Sequence, residues 1–156
     1  MSNQNLKDGR SFFVLPQSYE GGGYYAYGAP GGGTSQYAHP AMLTTLFAIA
    51  AAWAAIESRK FGIGDISLAN GIRHPDHKTH RSGLEVDIRP LRRDGKQLPC
   101  TISEAQYDRV ATSKLIGMFL ATGRVKQILF NDPAIRGVHA ARNHSNHFHV
   151  VLISKG

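Results

Sequence analysis

Apolar residues recur at helical spacing in two segments of the chain. In residues 40–60 they keep the spacing of one helix face, Pro40 suits the first helical position, and Gly62 follows as a stop signal. The capping-box pattern of residues 103–106 opens a second predicted helix, and Gly123 is a natural cap after its end. The predicted buried positions are Leu43, Leu46, Phe47, Ala50, Trp53, Ala54 and Ile56 in the first helix and Tyr107, Val110, Ala111, Leu115, Met118 and Phe119 in the second.

Shorter apolar or alternating segments are typical of strands. The predicted strands are residues 11–15, 65–68, 84–89, 125–130 and 148–153. In residues 84–89, apolar positions alternate with Glu85, Asp87 and Arg89, so the two carboxylates face away from the core. The pattern predicts an α+β fold, with a small antiparallel β-sheet and helices packed on one face.

A chain of 156 residues is expected to form a single domain around one core. Residues 1–36 would supply an N-terminal strand and a loop rich in glycine and tyrosine, and residues 37–156 the remaining core. The loop, residues 20–33, is expected at the surface because glycine is costly to order. Its tyrosines either line a substrate groove or pack on the domain.

The net charge of +7 indicates an anionic partner, either nucleic acid or the bacterial cell wall, unless the charge serves solubility alone. The basic residues are scattered and form no recognition motif, so we expect no nucleic-acid partner. Cys100 is the single cysteine, which excludes an intrachain disulfide.

Neither a membrane span nor a secretory leader is expected. The apolar run of residues 41–56 is too short to cross a bilayer, so no stable membrane insertion is predicted. Residues 1–10 are polar and lack the apolar core of a signal peptide.

Histidines concentrate in two short clusters. Residues 74–80 contain three histidines and are followed by Asp87, and residues 144–149 contain three more. His147 and His149 alternate with Phe148 on a predicted strand, so both rings point to one face. His39 and His139 stand alone and are expected to be ordinary histidines.

The clusters predict a zinc site. We assign His80, Asp87 and His149 as ligands, because three N and O donors with one open position suit catalytic zinc. His147 and His144 are the candidate catalytic groups for proton transfer, since histidine titrates near neutral pH. Related N/O sites accept other divalent ions.

Three further residues are candidate substrate contacts. His77 is expected to line the pocket. Arg81 and Arg142 are candidates for holding substrate carboxylates by bidentate contacts, and the alternative for both is simple solvated charge. His74 lies in a turn-like segment, and we expect it either behind the ligands or uninvolved.

Two motifs resemble the penicillin-insensitive murein endopeptidases. Residues 77–87 are similar to their His-x-x-His-x-x-Gly-x-x-x-Asp motif, and residues 144–149 to their closing His-x-x-His-x-His motif. Residues 37–40 and 130–135 also resemble the family. The resemblance implies the zinc fold shared with lysostaphin, D-Ala-D-Ala peptidases and hedgehog-like domains.

Within that family the matched positions imply the same assignment: His80, Asp87 and His149 hold Zn²⁺, and His147 is catalytic. D-Ala-D-Ala peptidases use a glutamate base before the last motif, whereas no acidic residue lies between Asp132 and His149 here. This departure favours the endopeptidase branch. Glu85 stands where an aspartate is expected in relatives.

The implied activity is hydrolysis of the D-alanyl–meso-diaminopimelyl cross-link of peptidoglycan. The alternatives are another murein bond, such as L-Ala–D-Glu or a terminal D-Ala, or an inactive zinc-binding wall module. A compact basic chain without a leader is typical of a phage endolysin or an exported effector. We therefore expect a monomer made in the cytoplasm that acts on the periplasmic cell wall after holin- or secretion-dependent release.

Overall fold

The computed structural model describes residues 5–17 and 22–154. The helices are α1 (Pro40–Ala54) and α2 (Arg109–Ala121), and a short 3₁₀ turn spans Ala69–Gly71. The strands are β1 (Phe13–Val14), β2 (Tyr24–Ala26), β3 (Tyr37–Ala38), β4 (Phe61–Ile63), β5 (Glu85–Ile88), β6 (Val125–Leu129) and β7 (Phe148–Leu152). Among these residues, no helix is long and apolar enough to cross a membrane.

The main sheet has five strands in the order β2-β4-β5-β7-β6, and β1 pairs with β3 separately. Its neighbours are antiparallel except β2 and β4, which run parallel. The predicted wholly antiparallel sheet is therefore wrong at one edge. The chain passes through α1 between β2 and β4, and a helical crossover returns a strand in the same direction.

Both helices contribute to a single apolar cluster with the sheet, as the α+β prediction required. Phe119 of α2 meets Phe148 of β7 with ring centroids 6.0 Å apart, and Trp53 of α1 meets Phe61 of β4 at 6.4 Å. The cluster also includes Leu15 from the N-terminal part of the chain. Because side chains alternate along a strand, the other face of β5 and β7 is left for polar groups.

Helix α1 begins at Pro40 as predicted but ends at Ala54 rather than near residue 60. The Trp53 indole Nε1 donates to the Arg59 carbonyl at 2.7 Å, so the chain turns back to begin β4. The predicted face was also partly wrong, since Phe47 is 38% exposed and Ile56 59%. Met42 and Ile49 are buried in their place.

Helix α2 begins at Arg109, later than the predicted start at residues 103–106. Asp108 is the N-cap, and its carboxylate accepts from the Ala111 amide at 3.0 Å. Glu104 instead accepts from the Thr101 amide, which closes a separate turn. Val110 is 77% exposed and so was wrongly placed in the core, whereas Gly123 follows the helix at φ +71° as predicted.

Of the five predicted strands, four are confirmed and one is wrong. Strands β1, β5, β6 and β7 lie within their predicted segments. Residues 65–68 are not a strand, because the sheet pairing falls earlier, at β4. The predicted glycine- and tyrosine-rich loop contains β2, and its residues 20–21 lie outside the described residues.

Candidate metal centre

Strands β5 and β7 place an aspartate and a histidine side by side. Their antiparallel register pairs Asp87 with His149, and Glu85 with Val151. Val86 and Phe148 point into the core, so Asp87 and His149 share the opposite face. The two side chains are 6% and 5% exposed, respectively, which makes this a sheltered polar site.

His80 reaches the same point from the loop before β5. It adopts a left-handed backbone conformation at φ +62°, and Gly83 makes a second left-handed turn at φ +74°. The His80 amide donates to Glu85 Oε2 at 3.2 Å. These turns fold the loop back over the sheet and bring His80 Nε2 to 3.3 Å from Asp87 Oδ1.

Two imidazoles therefore converge on one carboxylate oxygen, since His149 Nδ1 also lies 3.0 Å from Asp87 Oδ1. The second nitrogen of each ring is held by an acceptor. His80 Nδ1 donates to the Ile66 carbonyl at 3.1 Å, and His149 Nε2 donates to Glu85 Oε1 at 2.8 Å. Such outer contacts orient histidines that ligate metals, so the donor set fits a divalent ion.

The histidines of the second cluster flank this point. His147 Nε2 lies 3.7 Å from Asp87 Oδ1, and its Nδ1 contacts Asn146 Oδ1 at 2.7 Å. His144 Nδ1 donates to the Arg142 carbonyl at 2.6 Å, and its ring lies 4.8 Å from that of His147. The two rings stand close enough to share one proton-transfer path.

His77, from the first histidine cluster, lies at the same site and has a partner that the sequence did not predict. Its Nε2 lies 2.6 Å from Asp65 Oδ2 and 3.9 Å from Asp87 Oδ2. Asp65 also accepts from the Ser35 hydroxyl and the Ala29 amide, both at 2.7 Å. No motif spacing connects Asp65 to the histidines, so only the folded chain identifies it.

Two alternative donor groups share His77, and one of them includes two of the predicted ligands. The ligand atoms of His77, His80 and Asp87 lie within 4.8 Å of one another, as do those of Asp65, His74 and His77. His74 is 1% exposed, and its Nε2 donates to the Ala29 carbonyl while its Nδ1 accepts from the Asp76 amide. Both ring nitrogens of His74 are thus occupied, which makes it a buried support.

A family model described as penicillin-insensitive murein endopeptidase matches residues 31–127, more than half of the chain. The chain belongs to the penicillin-insensitive murein endopeptidase family. The matched segment carries His77, His80 and Asp87, and it ends before the second histidine cluster. No curated protein matches the chain. Family membership supports a peptidase activity on peptidoglycan and agrees with the resemblance seen in the sequence.

Charges in the endopeptidase site are strongly coupled. Burial lowers the pKa of His149, but hydrogen bonds to Asp87 and Glu85 outweigh it and raise the pKa to about 9. Burial raises the pKa of Glu85, yet the His149 contact brings it down to about 2. Burial likewise acts to raise the pKa of Asp87, and the hydrogen bonds of His149 and His80 hold it well below its usual range. The carboxylates are therefore ionised and ready to hold a cation.

The pKa values of His147, a candidate proton-transfer group, and of His77, a candidate pocket residue, are shifted in opposite directions. Desolvation lowers the pKa of His147, which favours its neutral form. The hydrogen bond with Asp65 raises the pKa of His77. His147 is therefore a neutral ring near the place where two imidazoles converge on Asp87 Oδ1, called the metal point below. His77 is a more basic ring that a carboxylate holds.

A cavity of about 590 Å³ opens over these residues, which is a size suited to a small ligand or peptide segment. Arg142 lines it, together with Lys78 and Gln127, which sequence reasoning missed. The Arg81 Nε donates to the Gly71 carbonyl at 2.8 Å, and Arg81 is absent from the described lining. Of the two arginines, Arg142 is the one positioned to meet a ligand in this cavity.

The isolated histidines lie elsewhere and have structural roles. His39 Nδ1 accepts from the Ala41 amide at 3.0 Å and caps α1. The His139 backbone pairs with Phe130 and Ile128, and its side chain is exposed.

Proposed function

We propose that this family member is a zinc endopeptidase that cuts the D-alanyl–meso-diaminopimelyl cross-link of peptidoglycan. The observation that supports it most is the convergence of His80 Nε2 and His149 Nδ1 on Asp87 Oδ1, with the outer nitrogen of each ring already held. The donor set of two imidazoles and one carboxylate is typical of catalytic zinc. The proposed fold likeness is to D-Ala-D-Ala peptidases and hedgehog-like domains.

When bound, zinc would supply a Lewis acid for the scissile carbonyl and a water molecule of lowered pKa. His147 would be the proton acceptor of the site, because its Nδ1 donates to Asn146 Oδ1 and leaves Nε2 free to accept. His144 stands beside it with Nδ1 donating to Arg142 O, so its Nε2 can exchange a proton with the leaving amine. Arg142 lines the cavity and is our candidate for a substrate carboxylate.

Digestion of purified peptidoglycan tests the proposal directly. The metal-loaded protein should convert cross-linked muropeptide dimers into monomers, and metal analysis should find zinc. If the dimers persist while another bond is cut, the bond that the protein hydrolyses is L-Ala–D-Glu or a terminal D-Ala instead. If no bond is cut by a folded, zinc-loaded protein, the chain is a zinc-binding wall module.

The variants His147→Ala and His144→Ala separate enzyme from binding module. In an enzyme, each should lower kcat by about a hundredfold or more, since general acid–base groups typically contribute that much. Zinc content should stay near that of the parent protein. In a binding module, neither variant would alter wall binding or any wall-directed phenotype.

The proposed setting is the wall side of a bacterial envelope. The net charge of +7 suits an acidic polymer surface, which supports peptidoglycan as the partner. We propose an endolysin-type monomer that reaches the wall after holin- or secretion-dependent release. Lysis of outer-membrane-permeabilised cells by added protein would support this, and its absence with intact activity on purified murein would oppose it.

A further inference from the structure

Arg89 lies on the same side of the sheet as the metal point. It follows Asp87 by two residues, one residue past the end of β5, so its Cα is about 7 Å further along the extended chain on the same face. Its backbone amide donates to the Gly62 carbonyl at 3.0 Å, which extends the pairing with β4. Continuing the β5–β7 register by one residue would put Arg89 opposite His147.

Two tyrosines of the β2 segment hold the Arg89 side chain. Its guanidinium carbon lies 3.8 Å from the Tyr27 ring centroid and 6.0 Å from that of Tyr25. A cation over an aromatic face is attracted to the ring electrons, which limits the motion of the guanidinium. Tyr25, Tyr27 and Arg89 are called the tyrosine shelf below.

Two glycines of the neighbouring strand leave room for the shelf. A Cβ on Gly62 would lie 2.7 Å from Tyr25 Cζ, and one on Gly64 would lie 2.6 Å from Tyr27 Cζ. Both rings therefore pack directly against these two glycines, where the Cβ of any other residue would displace them. The Gly64 amide donates to the Asp87 carbonyl at 2.8 Å, which ties this strand to the metal site.

Among the described residues, Arg89 has no acid partner, whereas four other arginines form ion pairs. Those ion pairs are Arg10–Asp8, Arg59–Glu57, Arg92–Asp94 and Arg109–Asp132. Within residues 5–17 and 22–154, the Arg89 guanidinium makes no hydrogen bond or ion pair, although it is only half-buried. A rigid, unpaired guanidinium is a preorganised carboxylate receptor, because its donors form a planar fork.

We propose that Arg89 on the tyrosine shelf binds the carboxylate that the substrate carries beside its scissile bond. The inference rests on the proposed murein peptidase function. In each murein bond considered, D-alanyl–diaminopimelyl, L-Ala–D-Glu or terminal D-Ala, the carbon attached to the scissile nitrogen bears a free carboxylate. Arg89 lies outside the residues that line the cavity, so it would read this shared group beyond that lining, on the β4 side of Asp87, and hold the amine side of the substrate there.

A pair of substrates tests the assignment. One is a muropeptide dimer with the free carboxylate, and the other has the same carboxylate converted to a carboxamide. Arg89→Gln should raise KM for the acid dimer by about tenfold to a hundredfold, the range of a charge-assisted hydrogen bond, with little change in kcat. The same variant should leave KM for the amide dimer unchanged.

Two further variants act as controls. Arg89→Lys keeps the charge but loses the planar fork, so its KM should fall between those of the parent and Arg89→Gln. Arg124 is an exposed arginine before β6, and Arg124→Gln should match the parent protein on both dimers. Acid and amide forms of a terminal D-Ala peptide and of an L-Ala–D-Glu peptide identify which carboxylate source is used.

Calorimetry with the muropeptide monomer, a cleavage product, gives a readout without turnover. The zinc-loaded parent should bind the monomer about tenfold or more tightly than Arg89→Gln. Equal binding, or equal KM for acid and amide dimers in an active parent protein, would overturn the assignment and leave the peptidase proposal standing. A parent that binds the monomer through Arg89 but cuts no bond would overturn the peptidase proposal instead.

Discussion

At the residue scale, the site is a set of histidines whose roles depend on what each second nitrogen touches. His80 and His149 each have one nitrogen held by an acceptor and the other directed at Asp87. His74 has both nitrogens satisfied within the protein. Identical side chains at one site therefore divide into proposed ligands and a support.

Removing one histidine at a time should show which donor set holds the metal. We expect His149→Ala to lose zinc, because it takes away a nitrogen 3.0 Å from Asp87 Oδ1. His77→Ala should keep zinc, since the His77 Nε2 contact with Asp65 is 2.6 Å and that with Asp87 is 3.9 Å. Zinc per protein, measured by elemental analysis after dialysis, decides between them. The opposite result would assign the metal to His77, His80 and Asp87.

At the scale of elements, two junctions near the C-terminal end of α1 connect it to β2 and to α2. Gly23 precedes β2 and lies against α1, where an added Cβ would meet the Ala50 carbonyl oxygen. Just after the same end of α1, Arg59 pairs with Glu57 at 2.9 Å and with Asp108, the cap of α2, at 2.8 Å. Both junctions join segments distant in sequence, so both should respond to single substitutions.

Gly23→Ala should destabilise the fold by about 1–3 kcal/mol, because the clash is with backbone that cannot move freely. Gly117→Ala in α2 is the matched control. Nothing lies within 4 Å of its added Cβ, and alanine favours a helix interior over glycine by about 0.5–1 kcal/mol. Urea unfolding of both variants should therefore shift in opposite directions. A shift in the same direction would mean that the close packing of Gly23 on α1 does not limit the stability of the fold.

The Glu57–Arg59 pair should make stability depend on pH. The Arg59 hydrogen bond lowers the pKa of Glu57 from its ordinary value of 4.5 to about 2. A carboxyl whose pKa falls on folding stabilises the protein above its unfolded pKa, and this contribution is lost as the pH drops from about 4.5 to 2. Because the pair is partly exposed, its contribution is about 1 kcal/mol at most.

Glu57→Gln should therefore lower the free energy of unfolding at pH 7 by up to about 1 kcal/mol, with the difference vanishing near pH 2. Urea titrations of the metal-free protein from pH 7 to pH 2 would measure it. Glu104→Gln is the matched control: its ion-pair contact, with Arg92, is longer at 3.7 Å, so this variant should show a smaller effect. A constant difference for Glu57→Gln across this range would contradict the role of the pair.

At the scale of the whole molecule, the proposed metal ligands come from three separate parts of the chain. His80 comes from a loop, Asp87 from β5 and His149 from β7, and the last two are paired across the sheet. A ligand that binds only the folded arrangement stabilises it by mass action. The same arrangement raises the pKa of His149 to about 9 beside ionised carboxylates, so the proposed metal would have to displace a proton to bind.

Zinc should thus raise the free energy of unfolding by about 2.7 kcal/mol when its free concentration is a hundred times its dissociation constant. Thermal unfolding with zinc and with a chelator would measure the gain. His149→Ala should abolish most of the difference while unfolding cooperatively. A parent protein whose melting temperature ignores zinc would contradict a site made from these three segments.

The alternation of apolar and polar residues is enough to predict the period-two pattern of β5 and β7, and hence the common face of Asp87 and His149, because alternation is a local property of a strand. The motif spacing is likewise enough to indicate the family. The helix ends, the parallel edge strand, the Asp65–His77 contact and the lack of an acid beside Arg89 among the described residues became visible only in the folded chain. The end of α1 depends on the Trp53–Arg59 hydrogen bond, and the other features depend on packing between distant segments, such as Tyr27 on Gly64, which no local pattern encodes.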